Sequence, residues 1–137
     1  IVMPGIQQLS DREFIRAFQV IDGMVQNNQP VFVAVWVGSV VASVVVAGLG
    51  FGQLEGTQRL LLLAVPLIYI LGVQLSTFTI NVPLNNQLQA LNVDVMGATA
   101  LKSARLRFES RWNQWNVSRT LLASLTSAVL LVLLFQL

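Results

Sequence analysis

Three long apolar runs alternate with polar passages along the chain, and one of those passages is much longer than the others. Val31 to Gly52 carries no charged residue, and its 22 residues, at about 1.5 Å of helical rise each, match a hydrocarbon layer of about 30 Å. Leu60 to Ile80 is likewise uncharged, and so are the 18 residues that follow Arg119. The pattern predicts membrane crossings at about 31–52, 60–80 and 119–137. Between the second and the third lies the longest polar stretch, Asn81 to Thr120.

The polar passages have helical order of their own. Ser10-Asp11-Arg12-Glu13 has the Ser-x-x-Glu form of a capping box, in which hydroxyl and carboxylate satisfy backbone donors at a helix start. Phe14, Phe18, Ile21 and Val25 follow at intervals of four, three and four, which predicts an amphipathic helix over 10–28 with those four residues on its apolar face. Such a helix either lies at the membrane interface or packs on its neighbours. Asn27-Asn28-Gln29-Pro30 ends it. Beyond Pro83, Leu84, Leu88, Leu91 and Val95 give a second stripe, and Leu101, Ala104, Phe108, Trp112 and Trp115 a third. A polar helical segment over 84–117 is expected, interrupted at Gly97 and running on into the last crossing.

Within the crossings, Gly38 and Ala42 form a small-xxx-small pair suited to close helix packing or to a dimer contact. Pro66 removes a backbone donor and is expected to bend the second crossing. The last turns of that crossing hold Gln74, Ser76, Thr77 and Thr79, which need partners in the protein or water.

Composition sharpens this picture. Hydrophobic residues make up 55% of the chain and charged residues 10%, far from the charged quarter of soluble domains. There is no cysteine and no histidine, which excludes disulfides, Cys/His zinc sites and any mechanism that needs imidazole or thiolate. No metal site is expected from the six carboxylates. A net charge of +2 without clustered bases and stacking aromatics argues against nucleic acid as a partner. Seven of the eight basic residues fall in the 5–29 and 81–119 segments, and only Arg59 lies elsewhere. The positive-inside rule therefore predicts that both segments are cytoplasmic.

The long polar stretch holds most of the donors and acceptors that chemistry would need. Asn81, Asn85, Asn116 and Arg119 could present preorganised donors to a developing oxyanion, with Trp112 and Trp115 as flat apolar walls. Asp22, Asp94 and Glu109 are the candidates for a general base, each only where burial raises its pKa. Structural readings stand beside these. Asn81 and Asn85 flank a proline and could cap helices; the tryptophans could form an interfacial belt; Arg119 could snorkel, or donate to carbonyls freed near Pro83.

Taken together, a Val-Met-Pro at 2–4, a helix ending in Gln26-Asn27-Asn28, Asn-Val-Pro-Leu-Asn at 81–85 and Trp-x-x-Trp-Asn-x-x-Arg-Thr at 112–120 resemble the anthrone oxygenase-like family. That resemblance implies a single all-α domain, an integral membrane antiparallel four-helix bundle with amphipathic helices on one side. It places most of the first crossing ahead of Ile1. It implies residence in the inner or plasma membrane of a bacterium. Family members from fungal polyketide pathways oxidise an anthrone to an anthraquinone with O₂, a reaction that requires no cofactor in principle. On this reading Arg119, Asn116 and Asn81 are catalytic, and Trp112, Trp115, Asn85 and Asn28 hold a hydrophobic aromatic small molecule. The alternative is a non-catalytic subunit of a larger membrane assembly, or a bundle that binds a lipid or quinone-like ligand without converting it.

Overall fold

The computed structural model describes residues 2–27 and 29–136, which are helical apart from short connections and contain no strand. The helices are α1 (Val2–Ile6), α2 (Asp11–Gln26), α3 (Pro30–Gly50), α4 (Gly56–Ile68), α5 (Val82–Gln89) and α6 (Ala98–Leu134). Between α4 and α5 the chain stays helical but widens into π-type turns at Tyr69–Leu75 and Thr77–Asn81. Three continuous stretches, Pro30–Gly50, Gly56–Gln89 and Ala98–Leu134, are long and apolar enough to cross a membrane, as in an integral membrane protein. The chain divides into two compact units, Ile1–Gln29 with Phe78–Asn116, and Pro30–Thr77 with Val117–Leu137.

The first unit is built on α2. Ser10 caps the helix, its side chain accepting from the Glu13 amide while the Glu13 carboxylate accepts from the Ser10 backbone N–H at 3.1 Å, so the capping box forms. The Ser10 hydroxyl, which donates to the Glu13 carboxylate at 2.6 Å, and the Ser10 backbone N–H together hold the exposed Glu13 carboxyl below its ordinary pKa. Phe14, Ile15 and Phe18 enter a core with Leu84, Leu88, Val93, Leu101, Ala104 and Phe108. The Phe18 and Phe108 rings meet edge to face at 4.5 Å, an arrangement their quadrupoles favour.

Of the four residues that periodicity put on the apolar face of α2, Phe14 and Phe18 are buried and Ile21 and Val25 are not. Ile21 and Val25 are 41% and 38% exposed, whereas the charged Asp22 is buried. Polar bonds set the rotation. Gln19 Nε2 donates to the carbonyls of Leu88 at 2.9 Å and Leu91 at 3.0 Å, and Arg12 donates to those of Val93 and, at 2.9 Å, Met96. These bonds tie α2 to the end of α5 and to the non-helical connection between Gln89 and Ala98, whose carbonyls they satisfy. Val95 accordingly lies outside any helix and is exposed. Arg105 is largely buried. It stacks over Phe14 at 4.4 Å, donates to the Gln7 and Leu9 carbonyls and pairs with Asp11 and Glu109.

In the second unit α3 buries only Ala47. The Gly38 and Ala42 positions are exposed, and a side chain at Gly38 would meet nothing within 4 Å, so close packing within the chain does not use this pair. It uses other glycines. A Cβ on Gly50 would lie 2.6 Å from Leu62, and one on Gly72 would lie 2.7 Å from Leu122. Leu54, Leu62 and Leu133 form a small core beside these contacts.

Pro66 is buried inside α4, and the helix widens three residues beyond it. Proline leaves a carbonyl one turn earlier without its donor, and a wide turn is one way for a helix to absorb that loss. Ser76 Oγ donates back to the Gly72 carbonyl and Thr77 Oγ1 to that of Val73, both at 2.7 Å. The hydroxyls that the sequence left in search of partners thus satisfy the backbone of the widened segment.

Candidate functional site

In the first unit, amide side chains stand at Asn81, just ahead of α5, and at Asn85 and Gln89 on it, spaced four apart so that they share a helical stripe. Opposite them α2 brings Asp22 and Gln26, also one turn apart. Asn85 Nδ2 donates to Asp22 Oδ1 at 2.7 Å, and Gln26 Nε2 and Gln89 Nε2 donate to Asp22 Oδ2 at 2.7 and 3.0 Å. The other end of the Asn85 amide accepts from Trp112 Nε1 at 2.9 Å. Asn85 therefore bridges an indole and a carboxylate, which settles the orientation of its amide.

Asp22 is only 6% exposed, and among the described residues it joins no ion pair. Three neutral amides take the place of a cation around this carboxylate. The other two carboxylates raised from the sequence are situated differently: Asp94 pairs with Arg16 at the surface and Glu109 with Arg105. Of the three, Asp22 is the one that is buried and held by amides.

Asn81 lies at the N-terminal end of α5, and it is not the cap that its place beside Pro83 suggested. Its backbone is already helical and its side chain makes no capping bond. The residue is 3% exposed, and neither its Nδ2 nor its Oδ1 meets a hydrogen-bond partner among the described residues. Leaving such a group unsatisfied costs about 1–3 kcal/mol. The chain carries that cost one turn before the Asn85 bridge.

Trp112 packs its ring against Phe18 at 5.9 Å and Phe108 at 6.1 Å, so it is tied into the core as well as to Asn85. Trp115 and Asn116 are half-buried farther along α6. Arg119 belongs to the second unit, where its Nη1 donates to Thr77 Oγ1 at 2.7 Å. Asn28 lies outside the described residues. Gln26 was quoted from the sequence only as part of a helix end and Gln89 not at all, although their spacing of four from Asp22 and Asn85 was a readable signal.

The second unit holds another polar chain, in which Gln74 has the partners that its place in an apolar helix calls for. Trp36 Nε1 donates to Gln74 Oε1 at 2.7 Å, Gln74 Nε2 donates to the Tyr69 hydroxyl at 2.9 Å, and that hydroxyl shares a 2.7 Å bond with Ser39. Four polar groups on apolar helices are thereby satisfied by one another. No three Asp or Glu side chains gather as metal ligands among the described residues.

With this geometry in view, the chain matches the family described as Anthrone oxygenase over residues 23–130. No curated protein and no solved structure matches it.

Proposed function

The chain belongs to the anthrone oxygenase family, and from that premise we propose that it binds a flat phenolic or polyketide-like aromatic and oxidises an activated ring methylene with O₂, without a cofactor. The observation that carries this reading is the buried Asn81 amide, whose donor and acceptor both lack partners among the described residues, one turn from the carboxylate-bound Asn85. An unsatisfied buried amide is what a ligand oxygen would complete.

In the proposed reaction Asp22 takes a proton from the methylene carbon, and the ring oxygen gathers the negative charge. Asn81 Nδ2 donates to that oxygen as the charge develops, while Trp112 offers a flat apolar surface. The resulting enolate gives up electrons to O₂, a carbon–oxygen bond forms, and the peroxide loses water. One methylene and one O₂ become one carbonyl and one H₂O, so no further reductant is required. Asn85 and Gln89 position the Asp22 carboxylate. Trp115, Asn116 and Arg119 remain proposed site residues on sequence grounds.

The proposed setting is one antiparallel four-helix membrane domain, with its basic segments on the cytoplasmic side of a bacterial inner membrane. The concentration of basic residues in the 5–29 and 81–119 segments supports that orientation. A second reading, a subunit of a larger membrane assembly, draws on α3, of which only Ala47 is buried within this chain.

The test is O₂ uptake and quinone absorbance with a hydroxylated anthrone and the full chain in nanodiscs, measured against protein-free autoxidation. Catalysed turnover should fall about 100-fold or more in Asn81→Ala, the usual scale for loss of an oxyanion donor. Arg119→Ala should likewise abolish turnover. Wild-type rates equal to autoxidation would end the oxygenase reading, and undiminished turnover in a folded Asn81→Ala would remove this amide from the mechanism.

A further inference from the structure

A cleft of about 330 Å³ opens in the first unit between α5 and α6, apart from the Asn81–Asp22 cluster. Leu84, Leu88 and Phe108, all buried core residues, form its apolar floor, and Gln87, Arg107 and Arg111 stand at its polar rim. The two arginines are four residues apart on α6, so their guanidiniums project from the same helical face. Two like charges at that spacing repel each other slightly. Among the described residues neither joins an ion pair, whereas Arg16 and Arg105 both do. Both side chains are exposed.

We infer that this cleft binds a small amphiphilic carboxylate, its head group held by Arg107 and Arg111 and its apolar body laid on Leu84, Leu88 and Phe108. Guanidinium groups match a carboxylate in both charge and planar geometry. An apolar floor with convergent polar groups at one edge is the ordinary form of a small-molecule site, and the volume lies at the small end of such sites. That size selects a compact molecule over a two-chain phospholipid. Gln87 adds an amide able to donate to the same head group.

The experiment uses the full chain in amphipol, titrated calorimetrically with decanoate, with decanol as its neutral match and acetate as the bare head group. Decanoate should bind at least tenfold more tightly than decanol, should weaken as salt is raised, and should not be displaced by acetate. The double variant Arg107→Gln/Arg111→Gln, which alters only exposed positions, should lose about tenfold in decanoate affinity. Lys102→Gln, an exposed cation outside the lining, should lose nothing. Equal binding of decanol, or unchanged decanoate binding by the double variant, would overturn the assignment. Displacement of decanoate by phosphatidylglycerol supplied in nanodiscs, with phosphatidylcholine inert, would overturn it in favour of a lipid headgroup.

Discussion

If Asp22 is held by the amides of α5, then removing it should destabilise the first unit by an amount that depends on Asn85. The perturbation is Asp22→Ala, which withdraws the acceptor from three hydrogen bonds at once. Gln26 is exposed, so its amide turns to water and contributes little. Asn85 and Gln89 are half-buried and lose bonds to a charged group, each worth about 1.5–3 kcal/mol. Taking the lower figure for both, because neither site is fully dry, the loss is about 3 kcal/mol. Asn85→Ala breaks one of those two bonds together with the bond from Trp112. The double variant should therefore be less destabilised than the sum of the singles, by about 1.5 kcal/mol. Reversible unfolding in mixed micelles, followed by tryptophan fluorescence, gives all four corners of the cycle. A coupling below about 0.5 kcal/mol, within ordinary additivity, would refute the claim that this contact orders the site.

Three further outcomes follow from the geometry. Because hydrogen bonds to Ser10 hold the folded pKa of Glu13 below its unfolded value, the capping box stabilises α2 fully above the unfolded glutamate pKa of about 4.3. That contribution disappears as pH falls through the lower folded value, so an acid titration of helicity should lose this component in Glu13→Gln. Gly72→Leu should destabilise the second unit by about 1–3 kcal/mol, since even a methyl there sits 2.7 Å from Leu122, while Gly38→Leu should be near neutral in the same unfolding assay. Single cysteines placed at Glu55 and Lys102 should react with an impermeant thiol reagent from opposite sides of sealed vesicles, and labelling from one side would reject the proposed orientation.

Much of the backbone was legible because its causes are local. Charge-free runs longer than 17 residues specify apolar helices wherever they fold, and the serine and glutamate three apart at positions 10 and 13 bring their own capping chemistry. The family was legible for a related reason: the Asn, Pro, Trp and Arg motifs lie at fixed spacings on single helices. The candidate site was only half visible. Asn81, Asn85 and Trp112 stood out by type and Asp22 as one of three carboxylates, but nothing in their spacing said that Asn85 would join Trp112 to Asp22 across 27 and 63 residues of chain.

What the sequence determined by itself, then, is which stretches are helical and apolar enough to enter a membrane, because period, proline and charge act within a turn or two. Tertiary structure alone decided which face of α2 is buried, where α5 ends, and that Asp22 rather than Asp94 or Glu109 is enclosed by amides. Those outcomes rest on long side chains such as Arg12, Gln19 and Arg105 reaching carbonyls 69 to 98 residues away. A hydrogen bond to a distant carbonyl can outweigh the small free-energy difference between burying Ile21 and burying its neighbour, and helical periodicity carries no record of where that carbonyl will be.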